Sequence, residues 1–255
     1  MEEMLLLFYL YSFLVGVCVA SFVNVVIWRV PQGLSFVKGR SYCPSCNHQL
    51  AWMDLFPVFS FVLLKGKCRY CGAKIPVRDT LLEVVGGIIG IYCFYHFQFT
   101  WDTLVVFTIF MIMMAITMID FDTMTIPNGL IIALIVPVGI FTVLHPEVSI
   151  TSRLIGFFVI SLPMYLLTII IPDCFGGGDI KLIAVCGFLL GWKLTLLAFF
   201  ISVLIGGGYA IYLLISKKSK TGAHIAFGPY LCVGIMVSLL YGNDIIQWYL
   251  ALFGI

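Results

Sequence analysis

Four cysteines in this 255-residue chain are spaced to hold one metal ion. Cys43, Cys46, Cys68 and Cys71 lie in "YCPSCNHQL" and "KCRYCGAKI", a C-x2-C-x21-C-x2-C array. Two residues between thiolates let each pair chelate a tetrahedral ion, and Gly72 after the second pair suits the tight turn of a zinc knuckle. The spacing points to structural zinc (Zn); disulfides or a thiol redox pair are the alternatives. A second constellation is made of carboxylates. Asp179 follows Gly176-Gly177-Gly178 in "FGGGDIKLI", and Asp120 and Asp122 lie in "MIDFDTMTIPN". Both stretches edge long apolar runs, where carboxylates are expensive and usually functional. Two aspartates held close cannot both ionise, so a water between them meets an acid and a base. Such a pair hydrolyses a peptide bond without a metal. The three glycines would admit the backbone of an extended substrate, whereas the bland alternative makes Asp179 an ordinary helix cap.

The elements that must position these groups are membrane helices. Hydrophobic residues make up 62% of the chain, charged residues 10%, and mean hydropathy is +1.13. A soluble domain carries about 25% charged residues, so a soluble protein is excluded. Apolar runs long enough to cross a bilayer fall at 5–27, 80–99, 103–119, 129–145, 153–171, 194–215 and 225–241. An eighth, 180–192, is short and needs a thinned or protein-lined place. The stretch 244–255 is expected at the interface. The runs are continuously apolar, without the alternation of a β-barrel. The fold class is therefore an all-α polytopic membrane protein of about eight transmembrane helices. The start, Met1-Glu2-Glu3-Met4, is acidic where a cleaved signal peptide would be basic.

Charge placement orients the bundle. Arg29, Lys38, Arg40, Lys65, Lys67, Arg69, Lys74 and Arg78 fall after the first run. With that loop in the cytoplasm, threading eight spans also puts Lys181, Lys217, Lys218 and Lys220 inside, leaving only Arg153 and Lys193 outside. Both termini are then outside. Two spans separate Asp120 from Asp179, so the chain returns to the same face and the two can meet on the cytoplasmic side. The expected organisation is a first transmembrane helix (1–27), a cytoplasmic zinc-binding loop (28–79) and a membrane bundle carrying the aspartates (80–255). Within the loop, "LFPVFSFVLL" (Leu55 to Leu64) is too short to span and reads as a buried or membrane-grazing piece. Cys18, Cys93, Cys174, Cys186 and Cys232 are scattered along apolar runs and read as small core residues.

In these motifs the chain resembles the bacterial prepilin peptidases, the type IV leader peptidase family of membrane aspartic proteases. "ASFVNVVIWRVP" (Ala20 to Pro31) is similar to the family's G-S-F-x-N-V-x-x-x-R-x-P, with Ala20 for glycine. "RDTLLE" (Arg78 to Glu83) stands for R-Y-P-x-x-E and departs at Asp79 and Thr80. "IDFDTMTIPN", "GGGDIKL" and "FGPYL" (Phe227 to Leu231) follow in the family's order, together with the paired cysteines. The resemblance implies catalytic Asp120 and Asp179, with Asp122 in support and Asp173 a loop charge. It implies prepilin or pseudopilin substrates, cut after a glycine that precedes an apolar helix. It also implies S-adenosylmethionine as a second cofactor, for methylation of the new amino terminus, with Glu83 and Arg78 as candidate residues. The expected location is the bacterial inner (plasma) membrane, with the lipid bilayer as partner and no nucleic acid. Lys181 is expected to meet lipid phosphate.

Two other classes share some of these features. An ion-coupled transporter also uses intramembrane carboxylates and glycine-broken helices, but wants repeated halves. A membrane thiol oxidoreductase wants its cysteine pairs on the oxidising face, and the charge count puts these inside.

Overall fold

The computed structural model describes residues 2–172, 174–216 and 225–254. Asp173 and the basic residues Lys217, Lys218 and Lys220 lie outside the described residues. Regular structure among the described residues is helical, as a bilayer requires of continuously apolar segments. The chain forms two compact units, Met1–Met111 and Ile112–Ile255.

The first unit contains α1 (Glu2–Arg29), the short α2 (Phe59–Leu63), α3 (Val77–Phe97) and the start of α4 (Trp101–Thr123). Small residues four apart share a helix face and let two backbones approach closely where lipid offers no hydrophobic drive. Here Gly16 and Ala20 of α1 meet Gly86 and Gly90 of α3. A side chain at Gly86 would strike the Ala20 methyl, and one at Gly90 the Ser12 carbonyl oxygen. Ala20 thus fits because its neighbour on α3 has no side chain. At the end of α1, buried Arg29 donates to the carbonyl oxygens of Ser35 (3.0 Å), Lys38 (2.9 Å) and Arg40 (3.2 Å). The loop after α1 is folded around that guanidinium.

The second unit contains the end of α4, then α5 (Asn128–Leu144), α6 (Ile150–Val159), α7 (Ser161–Ile170), α8 (Gly177–Leu190), α9 (Trp192–Ile215) and α10 (Gly228–Leu252). The α6–α7 stretch breaks at Ile160 because Pro163 lacks an amide proton and its ring clashes with the carbonyl four residues back. The stretch 244–255 is not a separate piece: α10 runs unbroken to Leu252.

Among the described residues, six stretches are long and apolar enough to cross a membrane, with Asn128–Leu144 shorter. Helix α8 falls on the short eighth run expected at 180–192. Its 14 residues reach about 21 Å, short of the roughly 30 Å hydrocarbon core, so its ends must be satisfied by protein. Arg153, 1% exposed, does this at the C-terminal end. It donates to the carbonyls of Leu189 (2.9 Å) and Phe188 (3.3 Å), and also to those of His145 (2.7 Å) and Val148 (3.3 Å). Gly156 and Gly187 bring α6 and α8 to backbone contact. A single residue, Gly191 at φ +74°, joins α8 to α9, and only glycine takes that conformation without strain.

Candidate functional site

The first candidate site is the cysteine cluster. Cys43 and Cys68 each open a tight turn: the Asn47 amide returns to the Cys43 carbonyl (2.8 Å), and the Gly72 amide to that of Cys68 (2.9 Å). Asn47 (φ 56°) and Gly72 (φ 72°) supply the left-handed residue of each turn. The four Sγ atoms lie within 4.8 Å of one another, and Cys43 and Cys71 are 3.9 Å apart. Thiolates around zinc at about 2.3 Å stand roughly 3.8 Å apart, whereas a disulfide requires about 2.05 Å. All four thiols are free. The Cys46 and Ser45 amides hold the Cys43 thiol down to about 6. At Cys71 the Ala73 amide also favours the thiolate, but desolvation and the neighbouring thiols outweigh it and push that thiol up to about 11. With their sulfurs this close together, the four thiols form a donor set that can hold a metal ion.

The knuckles are braced from outside. Asp54 accepts from Arg69 Nε (2.6 Å), Tyr70 Oη (3.0 Å) and the Ala51 amide (3.1 Å). Desolvation opposes its charge, yet these donors outweigh it and hold the carboxyl below the usual aspartate range. His48 and Tyr70 stack across the two turns with centroids 3.7 Å apart. Beneath the knuckles lies a cavity of about 400 Å³, lined in part by Ser21, Asn24, Asp54, Asp79, Thr80 and Glu83. Glu83 Oε2 accepts the Val58 amide (2.8 Å), and Ser21 also bonds to that carboxylate. The Asn24 amide group donates to the Asp79 carbonyl (2.9 Å), while its Oδ1 is buried without a partner. Arg78 stands exposed at the start of α3.

The second candidate site lies in the second unit. Asp120 is 4% exposed and Asp179 9%, and the two are near enough for their charges to interact. Asp120 sits one turn before the end of α4, where the Met124 amide returns to its carbonyl (2.8 Å) and Met124 turns left-handed (φ 52°). Its Oδ2 accepts the Gly228 amide (3.0 Å) at the start of α10. A Cβ on Gly228 would come within 2.6 Å of that oxygen, so the F-G-P stretch needs glycine for contact with the carboxylate. Phe227 packs against Phe175 and Phe199, with centroids 6.2 and 6.3 Å away.

The bland alternative, Asp179 as the N-cap of α8, does not hold. Gly176 is the N-cap of α8, and Asp179 is three residues further in. The Gly176 amide donates to its carboxylate, the reciprocal half of a capping box. Oδ1 remains buried and unpaired. The three glycines differ in what surrounds them. A Cβ at Gly176 would meet Asp179 Oδ2 (2.9 Å), one at Gly178 would meet Ile126 (2.7 Å), and only Gly177 faces open space.

Asp122 is exposed, two residues past buried Asp120. Lys181 differs from expectation: its Nζ donates to Asn128 Oδ1 (2.9 Å), tying α8 to the first residue of α5. Of the scattered cysteines, Cys93, Cys186 and Cys232 are buried, but Cys18 and Cys174 are exposed and not in the core. Cys232 lies near both aspartates and hydrogen-bonds with Thr117. Sequence reasoning missed Cys232 and the Gly228 amide at this site. The motifs "FGPYL" and "IPN" were the only signals that could have found their neighbourhood.

Residues 14–97 match the bacterial peptidase A24 N-terminal domain, and residues 105–211 the type IV leader peptidase family. The chain is 33% identical over 240 residues to the prepilin leader peptidase/N-methyltransferase of Bacillus subtilis (strain 168), an alignment spanning 93% of this chain and 96% of that protein. Proteins of the same name from Stutzerimonas stutzeri (30% over 275 residues; 96% and 94%) and Aeromonas hydrophila (29% over 276; 97% and 95%) are similarly close. No solved structure matches. With both halves matched in order and relatives aligned almost end to end, this multi-pass membrane protein belongs to the type IV leader peptidase family.

Proposed function

We propose that this protein is a membrane aspartic endopeptidase that removes the short basic leader of prepilins or pseudopilins at the cytoplasmic face and then methylates the new amino terminus. The observation that carries the peptidase reading is the pair of buried carboxylates, Asp120 and Asp179, from different helices, with Asp179 Oδ1 unpaired. One carboxylate takes a proton from water, whose oxygen attacks the scissile carbonyl carbon. The other, protonated, donates to the carbonyl oxygen, and the tetrahedral species collapses as the leaving nitrogen gains a proton. The Gly228 amide orients Asp120. Gly177, open on its outer side, is where substrate backbone comes nearest. The basic residues between α1 and α3, from Arg29 to Arg78, favour a cytoplasmic site.

Methylation fits the cavity beneath the knuckles, whose volume suits a small cofactor. Asp54, Asp79 and Glu83 line it together with Arg29, Arg69 and Lys74, and the unpaired Asn24 oxygen adds a free acceptor. S-adenosylmethionine bound there supplies an electrophilic methyl group. Glu83, on the cavity wall, would take the proton of the incoming amine. The cysteine cluster holds structural zinc that keeps the roof of this cavity folded.

Three outcomes test these assignments. Aspartates that work as a unit fail together, so Asp120→Asn or Asp179→Asn should each cost about as much as both, at least the roughly 10²–10⁴-fold of acid–base catalysis. Asp122→Asn should keep measurable cleavage, because its side chain leaves the helix about 200° away; a dead Asp122→Asn beside an active Asp120→Asn would move the site. Thiolate–zinc binding supplies on the order of 10 kcal/mol of folding energy, so Cys43→Ser or Cys71→Ser should lower zinc content and melting temperature. Full zinc occupancy after losing two of the four cysteines would overturn the ligand set. Glu83→Ala should impair methylation of a pre-cut pilin while leader removal stays detectable by mass spectrometry.

A further inference from the structure

In the first unit, the segment between the two knuckles turns apolar side chains outward. Trp52 is 75% exposed, Phe56 54%, Phe59 54%, Val62 66% and Leu63 80%. In α2, Phe59, Val62 and Leu63 are spaced i, i+3 and i+4 and so share one face. The other face, with Ser60, Phe61 and Leu64, lines the cavity beneath the knuckles. The helix is apolar on both sides, and only one side has protein to cover it. A contiguous patch of this kind marks a contact with a partner or with membrane.

The hydrogen bond from the Val58 amide to Glu83 Oε2 (2.8 Å) fixes the depth of this patch. Helix α3, at 21 residues, is about 31 Å long, close to the hydrocarbon thickness of a bilayer. Glu83 lies six residues past Val77, roughly 9 Å along the axis. The start of α2 is therefore held roughly 9 Å below the head of α3, within the depth to which interfacial helices bury their apolar face. Leu81, Val85 and Ile88 are also exposed, on the side of α3 about 140–160° from Glu83, so this stretch of the helix turns an apolar face outward as well. Beyond the patch the chain turns back through left-handed Lys65 (φ 51°) and Gly66 (φ 69°). Exposed Lys65 and Lys67 follow, placed to meet lipid phosphate as their stems cross the interface.

We propose that residues 52–63 form an interfacial foot, with Trp52, Phe56 and α2 inserted among the lipids of the leaflet that faces the zinc loop. The occupant of this face is a lipid surface. The depth set by Glu83, the flanking lysines and the exposed apolar side chains of α3 at a similar depth all favour lipid over a protein partner. The foot carries the floor of the cavity beneath the knuckles, so the bilayer itself holds that cavity at a fixed height.

The test uses the full chain in nanodiscs containing phosphatidylcholine and phosphatidylglycerol. Leu63 is replaced by photoreactive p-benzoylphenylalanine, and in a second variant exposed Gln49, on the first knuckle, is replaced in the same way. Illumination at position 63 should yield lipid adducts by mass spectrometry, and position 49 should yield none. Lipids brominated near the head of the acyl chain should quench most of the emission lost in Trp52→Phe. Adducts at position 63 to a second copy of the chain or to an added prepilin, or unquenched Trp52 emission, would overturn the proposal.

Discussion

A carboxylate placed in an apolar bundle must be given hydrogen-bond donors, and most of the second unit serves that requirement for Asp120 and Asp179. The donors are backbone amides at helix starts: Gly228 of α10 for Asp120, and Gly176 at the head of α8 for Asp179. Helix starts carry free amides and the positive end of the helix dipole, so they are the cheapest source of such partners in lipid. Using them forces α4, α8 and α10 to end near one point. Ile126 fills the gap between α8 and α10 and leaves no room for a side chain at Gly178, while the Asp120 carboxylate leaves none at Gly228. Helix α8 can begin there only by being short, and Arg153 compensates at its other end by satisfying its last carbonyls. The buried arginine thus belongs to the same solution as the buried aspartates.

The first unit follows different rules. Its helix pair is joined by small residues, and the chain between α1 and α3 owes its shape to polar anchors: Arg29 at the start, Asp54 in the middle and Glu83 on α3. These place the cysteine turns over a cavity lined by both acidic and basic side chains. The proposed peptidase and methyltransferase chemistries would then rest on separate supports, each describable without the other.

Much of this was legible in the sequence, for physical reasons that differ by residue. The cysteine pairs are local, and their spacing alone specifies two chelating turns. Long apolar runs show helices because lipid permits little else, and an even number of crossings brings Asp120 and Asp179 to one face. The partners of those groups were not legible. The Gly228 amide lies 108 residues from Asp120 and Lys181 lies 53 from Asn128; periodicity says nothing about pairs so far apart. Arg153 was placed only at the outer end of its span, because composition cannot distinguish an exposed cation from one that caps a short helix. The continuity of α10 was missed because Asn243 and Asp244 interrupt its apolar run, although their exposed side chains leave the backbone ladder intact.

The central claim is that one water is worked on by an acid and a base, both of them aspartates. It is tested most directly by kcat/KM for prepilin cleavage as a function of pH, with the protein in nanodiscs. The account predicts a bell: on the acid side the base is protonated, and on the alkaline side the acid has lost its proton. Both limbs should belong to the coupled pair and not to either residue alone. A profile that climbs to a plateau and stays there would contradict the account, as would a bell that survives in Asp120→Asn.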